Sequence, residues 1–143
     1  MIDKGTVKER LVRIVRSVER LERLAKTDRR EFLQHDSDFP AIAESHLRRS
    51  LEAVFDVGRH LLAKSGHGDL AQEYKSIALG MVRLGIVPPT LESNLVKMAG
   101  YRNRLVHLYH EVADEELYDI ISGNLEDFRT FVRSVKTYIE QLR

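Results

Sequence analysis

The run Arg102-Asn103-Arg104-Leu105-Val106-His107-Leu108-Tyr109 places cations, an imidazole and a phenol within one short segment. Arginine stays charged and presents a planar fork that fits the oxygens of a phosphate or a carboxylate. A histidine titrates at about pH 6.5, so it can take or give a proton near neutrality. Together these side chains could bind an anion and move a proton beside it.

The surroundings make Arg102 unusual. Leu91, Leu95, Met98, Arg102, Leu105 and Tyr109 step by four and three, which is one face of a helix. Five of them suit a core or an interface, and Arg102 does not. An unpaired charge in an apolar seam costs several kcal/mol, roughly, so it needs company. Either Arg102 meets a carboxylate, or it snorkels past Tyr109 to water, or the seam faces a cleft or a second subunit. His107 follows Arg102 by five positions, about 140° around an ideal helix. One continuous helix does not stack the two. They converge if the helix unwinds near Val106, or if two copies of the run face each other across a dimer. His35, His46, His60, His67 and His110 read as structural. Tyr109 by itself reads as a packing residue with its hydroxyl hydrogen-bonded.

Helices have to position this run. In the first, Val7, Leu11, Ile14, Val18, Leu21 and Ala25 form one apolar stripe, with Thr6 as N-cap and Arg13, Arg16, Arg20 and Arg23 opposite. Residues 28–37 read as irregular, with one turn around Phe32. A second helix begins at Pro40, capped by Ser37 or Asp38, and ends at Lys64-Ser65-Gly66. Asp69 is expected to cap a third, through Leu70, Tyr74, Ile77 and Val82, stopped by Gly85 and Pro88-Pro89. The fourth spans about Thr90 to Leu108. Asp114 is expected to cap a short helix, and a last one carries Phe128, Phe131, Val135 and Ile139. Short connections make neighbours antiparallel. The expected fold is all-α: an up-down helical bundle of four main helices with one or two shorter ones, residues 1–143 forming a single domain.

Composition narrows the chemistry. With no cysteine there is no disulfide framework, thiolate metal site or cysteine nucleophile. No apolar run suits a membrane span, and the N-terminus has no secretory pattern, so the expected location is the cytoplasm. Net charge is only +1, but it is unevenly spread: residues 6–30 hold nine Lys/Arg against four acids, and residues 111–127 hold seven acids and no Lys or Arg. The ordinary reading of that polarity is solvated helix faces.

Arg102, four residues, His107, one residue and Tyr109 match the R-x4-H-x-Y pattern, with Asn103 after the arginine. This resembles the HEPN superfamily. The segments FPAIAESHLRRSLEAVFDVGRHLLA and YRNRLVHLYHEVADEELYDII, and the layout with a long basic first helix, resemble its HepT-like branch. The resemblance implies a homodimeric helical bundle that acts as the toxin of a two-gene toxin–antitoxin system. It implies RNA cleavage without metal or cofactor, catalysed by Arg102 and His107, with Asn103 and Arg104 in support. It also implies a minimal nucleotidyltransferase (MNT) antitoxin that transfers AMP from ATP to Tyr109. On this reading His107 is the acid/base, Arg102 holds the scissile phosphate, Arg104 contacts a flanking phosphate, and the arginine face of the first helix is a second candidate for such contacts, with solvated surface as its ordinary reading. The alternative is a non-catalytic HEPN protein that binds a nucleotidyltransferase.

Overall fold

The computed structural model describes residues 1–107 and 112–142. Tyr109 and His110 therefore lie outside the described residues. The described chain forms seven α-helices: α1 Lys4–Ala25, α2 Arg29–Phe32, α3 Phe39–Lys64, α4 Tyr74–Arg83, α5 Glu92–His107, α6 Asp114–Gly123 and α7 Glu126–Glu140. Short 3₁₀ turns at Gly68–Ala71 and Pro89–Leu91 lead into α4 and α5. The protein is all-α, with four long helices and three shorter ones among the described residues.

Capping differs from the expectation at three places. Asp3, not Thr6, caps α1: its Oδ1 accepts from the Thr6 amide at 3.0 Å and its Oδ2 accepts from the Thr6 hydroxyl at 2.8 Å. A carboxylate upstream takes the free amide, and the helix starts earlier. Asp69 does not cap α4. Leu70 belongs to the 3₁₀ turn and folds back over Gly80, and Glu73, in an extended conformation, starts α4. Ala113 occupies the cap of α6, which puts Asp114, Glu115 and Glu116 in its first turn, where carboxylates complement the exposed amides.

The stops follow expectation. After α3, Gly66 takes φ +83, the His67 amide donates to the Leu62 carbonyl at 2.8 Å and the Gly66 amide to the Ala63 carbonyl at 3.3 Å. After α4, Gly85 takes φ +73 and the Ile86 amide reaches the Met81 carbonyl at 2.9 Å. Both are left-handed closures that glycine adopts without a Cβ penalty.

The long α3 is the centre of the assembly. It packs on α1, α4, α5, α6 and α7, and its buried face runs from Ala43 through Leu47, Leu51, Val54 and Phe55 to Leu62. Phe32, fully buried, sets α2 edge-on against Tyr118 of α6 at 4.9 Å between centroids. At the α3–α4 crossing Gly58 is decisive. A Cβ there would lie 2.6 Å from Ile77 Cγ2 and 2.9 Å from Met81 Sδ, so the helices approach as closely as they do because this residue has no side chain. Gly58→Val is expected to destabilise the fold by about 1–3 kcal/mol through overpacking. Urea unfolding checks this: the midpoint should fall at constant m-value, and an unchanged midpoint would show that α4 is not seated this tightly.

Candidate active site

The α5 seam packs as the periodicity requires. Leu91, Leu95, Met98 and Leu105 are all buried. Arg102, on the same face, is half-buried. Among the described residues it meets no carboxylate. Its guanidinium instead lies over the ring of Tyr74, with Cζ 4.0 Å from the centroid. The ring face attracts a cation, by about 0.5–2 kcal/mol, rising with desolvation. Arg102 Nη1 also donates to Asn103 Oδ1 at 3.4 Å, while its Nε is buried and finds no acceptor among the described residues.

Tyr74 is the first residue of α4, and it receives Arg102 on a prepared surface. Phe55 of α3 packs edge-on against it at 5.4 Å, and the Arg59 guanidinium lies over it at 5.3 Å. Arg59 is itself held by the Ala71 carbonyl and by Asp56, at 3.4 Å and 3.6 Å. Two arginines from two helices thus share one aromatic ring.

An open cleft of about 550 Å³ lies beside this ring. Gln72, Glu73, Tyr74 and Lys75 form one wall, and Asn103, Arg104 and His107 form the other. His107 is exposed along it. Helix α5 stays helical through His107, so it does not unwind near Val106, one of the two routes to convergence that the spacing left open. Tyr74 connects the two motif residues within this chain: Arg102 stacks on its ring, and His107 borders the cleft that the ring walls.

Arg104, which also lines the cleft, pairs with α6. Its Nη1 and Nη2 donate to Glu116 Oε2 and Oε1, both at 2.7 Å, a two-pronged pair joining the end of α5 to the first turn of α6. That pairing holds the Glu116 carboxyl below the ordinary glutamate range. Among the described residues no group of three His, Cys, Asp or Glu is placed to hold a metal ion.

Periodicity marks Tyr74 only as an apolar-face residue and singles out neither Arg59 nor Glu116. For Tyr74 a faint signal exists, an aromatic at a helix start opposite a misplaced arginine. For the other two there is none.

Comparisons with known proteins bear on the family and the fold. A family model described as ribonuclease HepT-like matches residues 14–135. The tRNA nuclease HepT of Aphanizomenon flos-aquae is 26% identical over 139 residues, covering 96% of this chain and 92% of that protein. The mRNA nuclease HepT of Shewanella oneidensis is 30% identical over 91 residues, covering 64% of this chain and 68% of its own. Among solved structures, a tri-AMPylated Shewanella oneidensis HEPN toxin in complex with an MNT antitoxin has a similar fold, with TM-score 0.78 at 23% identity, covering 96% and 99% of the two chains.

The Arg104–Glu116 pair gives a pH-dependent expectation. The folded Glu116 carboxyl has a lowered pKa, so its stabilisation is present above the unfolded value and is lost as pH falls through the folded one. Glu116→Gln should cost about 0.5–1 kcal/mol near neutral pH, a half-exposed pair being screened. That difference from wild type should shrink as pH drops below the ordinary glutamate range. An equal difference at every pH would mean that the pair contributes nothing electrostatic.

Proposed function

This chain belongs to the HepT-like ribonuclease family, and from that membership we propose that it is the toxin of a type VII-like toxin–antitoxin pair, cutting RNA internally and without metal at the cleft between α4 and α5. The observation that carries the reading is the half-buried Arg102 guanidinium, set on Tyr74 beside a cleft that His107 also borders.

RNA brings its own nucleophile. The ribose 2′-OH attacks the adjacent phosphorus as its proton passes to a base, and the 5′-oxygen leaves after gaining a proton from an acid. The products are a 2′,3′-cyclic phosphate and a free 5′-hydroxyl. We assign proton transfer to His107, which lines the cleft and is exposed enough to reach a bound strand. Arg102 holds the scissile phosphate and stabilises the charge that builds on its oxygens. Tyr74, acting through Arg102, is a positioning residue. Asn103 steadies the Arg102 fork, and Arg104, committed to Glu116, is assigned the placing of the α5 end in preference to a flanking phosphate.

One chain supplies one such histidine, and acid and base both need filling. We therefore read the working site as a homodimer cleft with one motif from each copy. The cognate partner we assign is a minimal nucleotidyltransferase, which transfers AMP from ATP to the Tyr109 hydroxyl and releases pyrophosphate. Tyr109 follows Arg102 by seven residues in sequence, and an AMP group on it would add negative charge close along the chain to the cation that RNA needs. No helix of the described chain is long and apolar enough to cross a membrane. We place the protein in the cytoplasm and take residues 1–143 as one domain.

Expression without a partner should stop growth and degrade RNA, and His107→Ala should lower cleavage by at least about 10²-fold. Intact RNA with wild type, in cells and in vitro, would turn the reading to a non-catalytic binding protein. Tyr74→Leu should lower kcat by about tenfold or more with the fold intact, while Tyr74→Phe keeps most activity. If Tyr74→Leu raises KM alone, Tyr74 binds substrate and does not position Arg102. Co-expression with the nucleotidyltransferase should add one or more AMP masses to wild type and none to Tyr109→Phe. Equal addition to both would remove Tyr109 as acceptor, and a monomer on gel filtration would remove the shared cleft.

A further inference from the structure

Away from the cleft, a strongly charged groove lies between α1 and α3. Arg13, Arg16 and Arg20 line it from α1 and Arg49 from α3, and the small Ser17 and Ala53 give it depth. Along α1 these arginines recur every three or four residues, so their stems are about 5 Å apart.

The groove also contains two acids, Glu52 and Asp56, and both are already paired. Asp56 holds Arg10 at 3.4 Å and Arg59 at 3.6 Å, and Glu52 holds Arg48 at 3.5 Å. Among the described residues, Arg16, Arg20 and Arg49 pair with no carboxylate, and all three are exposed. A row of uncommitted guanidiniums with its acids neutralised is a surface for a chain of anions.

Its direction matters. Arg49, Ala53, Asp56 and Arg59 lie along one face of α3, at three- and four-residue steps. The last of them sits over Tyr74, which walls the cleft. Groove and cleft therefore lie on one flank of α3. At the other end, Arg20 borders a hollow that holds Phe39 and Ile42, and Ile42 is 42% exposed. Cations beside exposed apolar surface suit a polymer that alternates phosphates with flat bases, and this favours nucleic acid over an acidic protein.

We propose that this groove binds the sugar–phosphate backbone of the RNA strand outside the scissile position. Arg16, Arg20 and Arg49 take flanking phosphates, and the strand passes Arg59 into the cleft. The inference rests on the ribonuclease reading of the cleft, and its test separates the two.

The probe is a single-stranded 2′-O-methyl RNA oligonucleotide, which has no nucleophile and cannot be cut. Wild type is compared with R16Q/R20Q/R49Q and with R16K/R20K/R49K, across a salt series. The glutamine triple should bind at least about tenfold more weakly, with the salt slope shallower by about 2, the share of three phosphate contacts on a single strand. The lysine triple should keep that slope. With cleavable substrates, the glutamine triple should raise KM for a long RNA by at least about tenfold and leave a dinucleotide, too short to reach the groove, within about twofold. Unchanged affinity and slope would overturn the proposal, as would equal losses on long and short substrates. Loss of antitoxin affinity with RNA binding intact would reassign the groove to an acidic protein surface. Normal binding by a wild type that cuts nothing would sink the nuclease reading and leave the groove supported.

Discussion

The guanidinium of Arg102 lies 4.0 Å over the Tyr74 ring, and keeping it there makes demands on three helices. A half-buried cation has lost much of its water and needs compensation close by. The aromatic face gives part of it, but only if the ring cannot turn away. Phe55 packs perpendicular to it, and Arg59 covers it as a second cation. Both come from α3. The ring is held by α3, offered by α4 and used by α5.

That requirement reaches back to the α3–α4 crossing. Tyr74 opens α4, so its height over α3 depends on how closely the two helices pack. Gly58 sets that separation, because a side chain there would meet Ile77 and Met81. A local choice with no chemistry of its own thus governs where the aromatic ring meets α5. The 3₁₀ turn before α4 serves the same end. By folding Leu70 back over Gly80 it lets the helix begin at Tyr74, with Gln72 and Glu73 left to wall the cleft.

Much of this was legible in the sequence, and the limits are physical. Apolar periodicity located the helices because burial repeats with the helical turn, and Gly66 and Gly85 marked stops because positive φ favours glycine. Caps were less legible. Asp3 takes the Thr6 amide, whereas a Thr6 cap would take the amide of residue 8 or 9, so choosing between them means knowing where the helix starts. In the site, periodicity identified Arg102 as out of place but not what would receive it. Its receiver is 28 positions away, in a helix whose start is fixed by tertiary packing. Glu116 was hidden for a related reason. Three consecutive acids open α6, and only the angle between α5 and α6 selects the one that meets Arg104.

Helical geometry also explains how one short run serves several neighbours. Arg102 and Arg104 are two residues apart, about 200° around the axis, and His107 is about 140° from Arg102. Arg102 and Arg104 therefore leave the helix on opposite sides, while His107 lies about 60° from Arg104 and lines the cleft with it. Arg102 turns to α4, Arg104 crosses to α6, and His107 stays exposed along the cleft. The division has a chemical logic. The cation that must stay oriented is packed against a ring, the one that fixes the helix end is spent on a carboxylate, and the residue that must exchange a proton with a substrate keeps its access to solvent. Closer spacing on one face would bring the two guanidiniums into mutual repulsion, and would leave the imidazole buried beneath them.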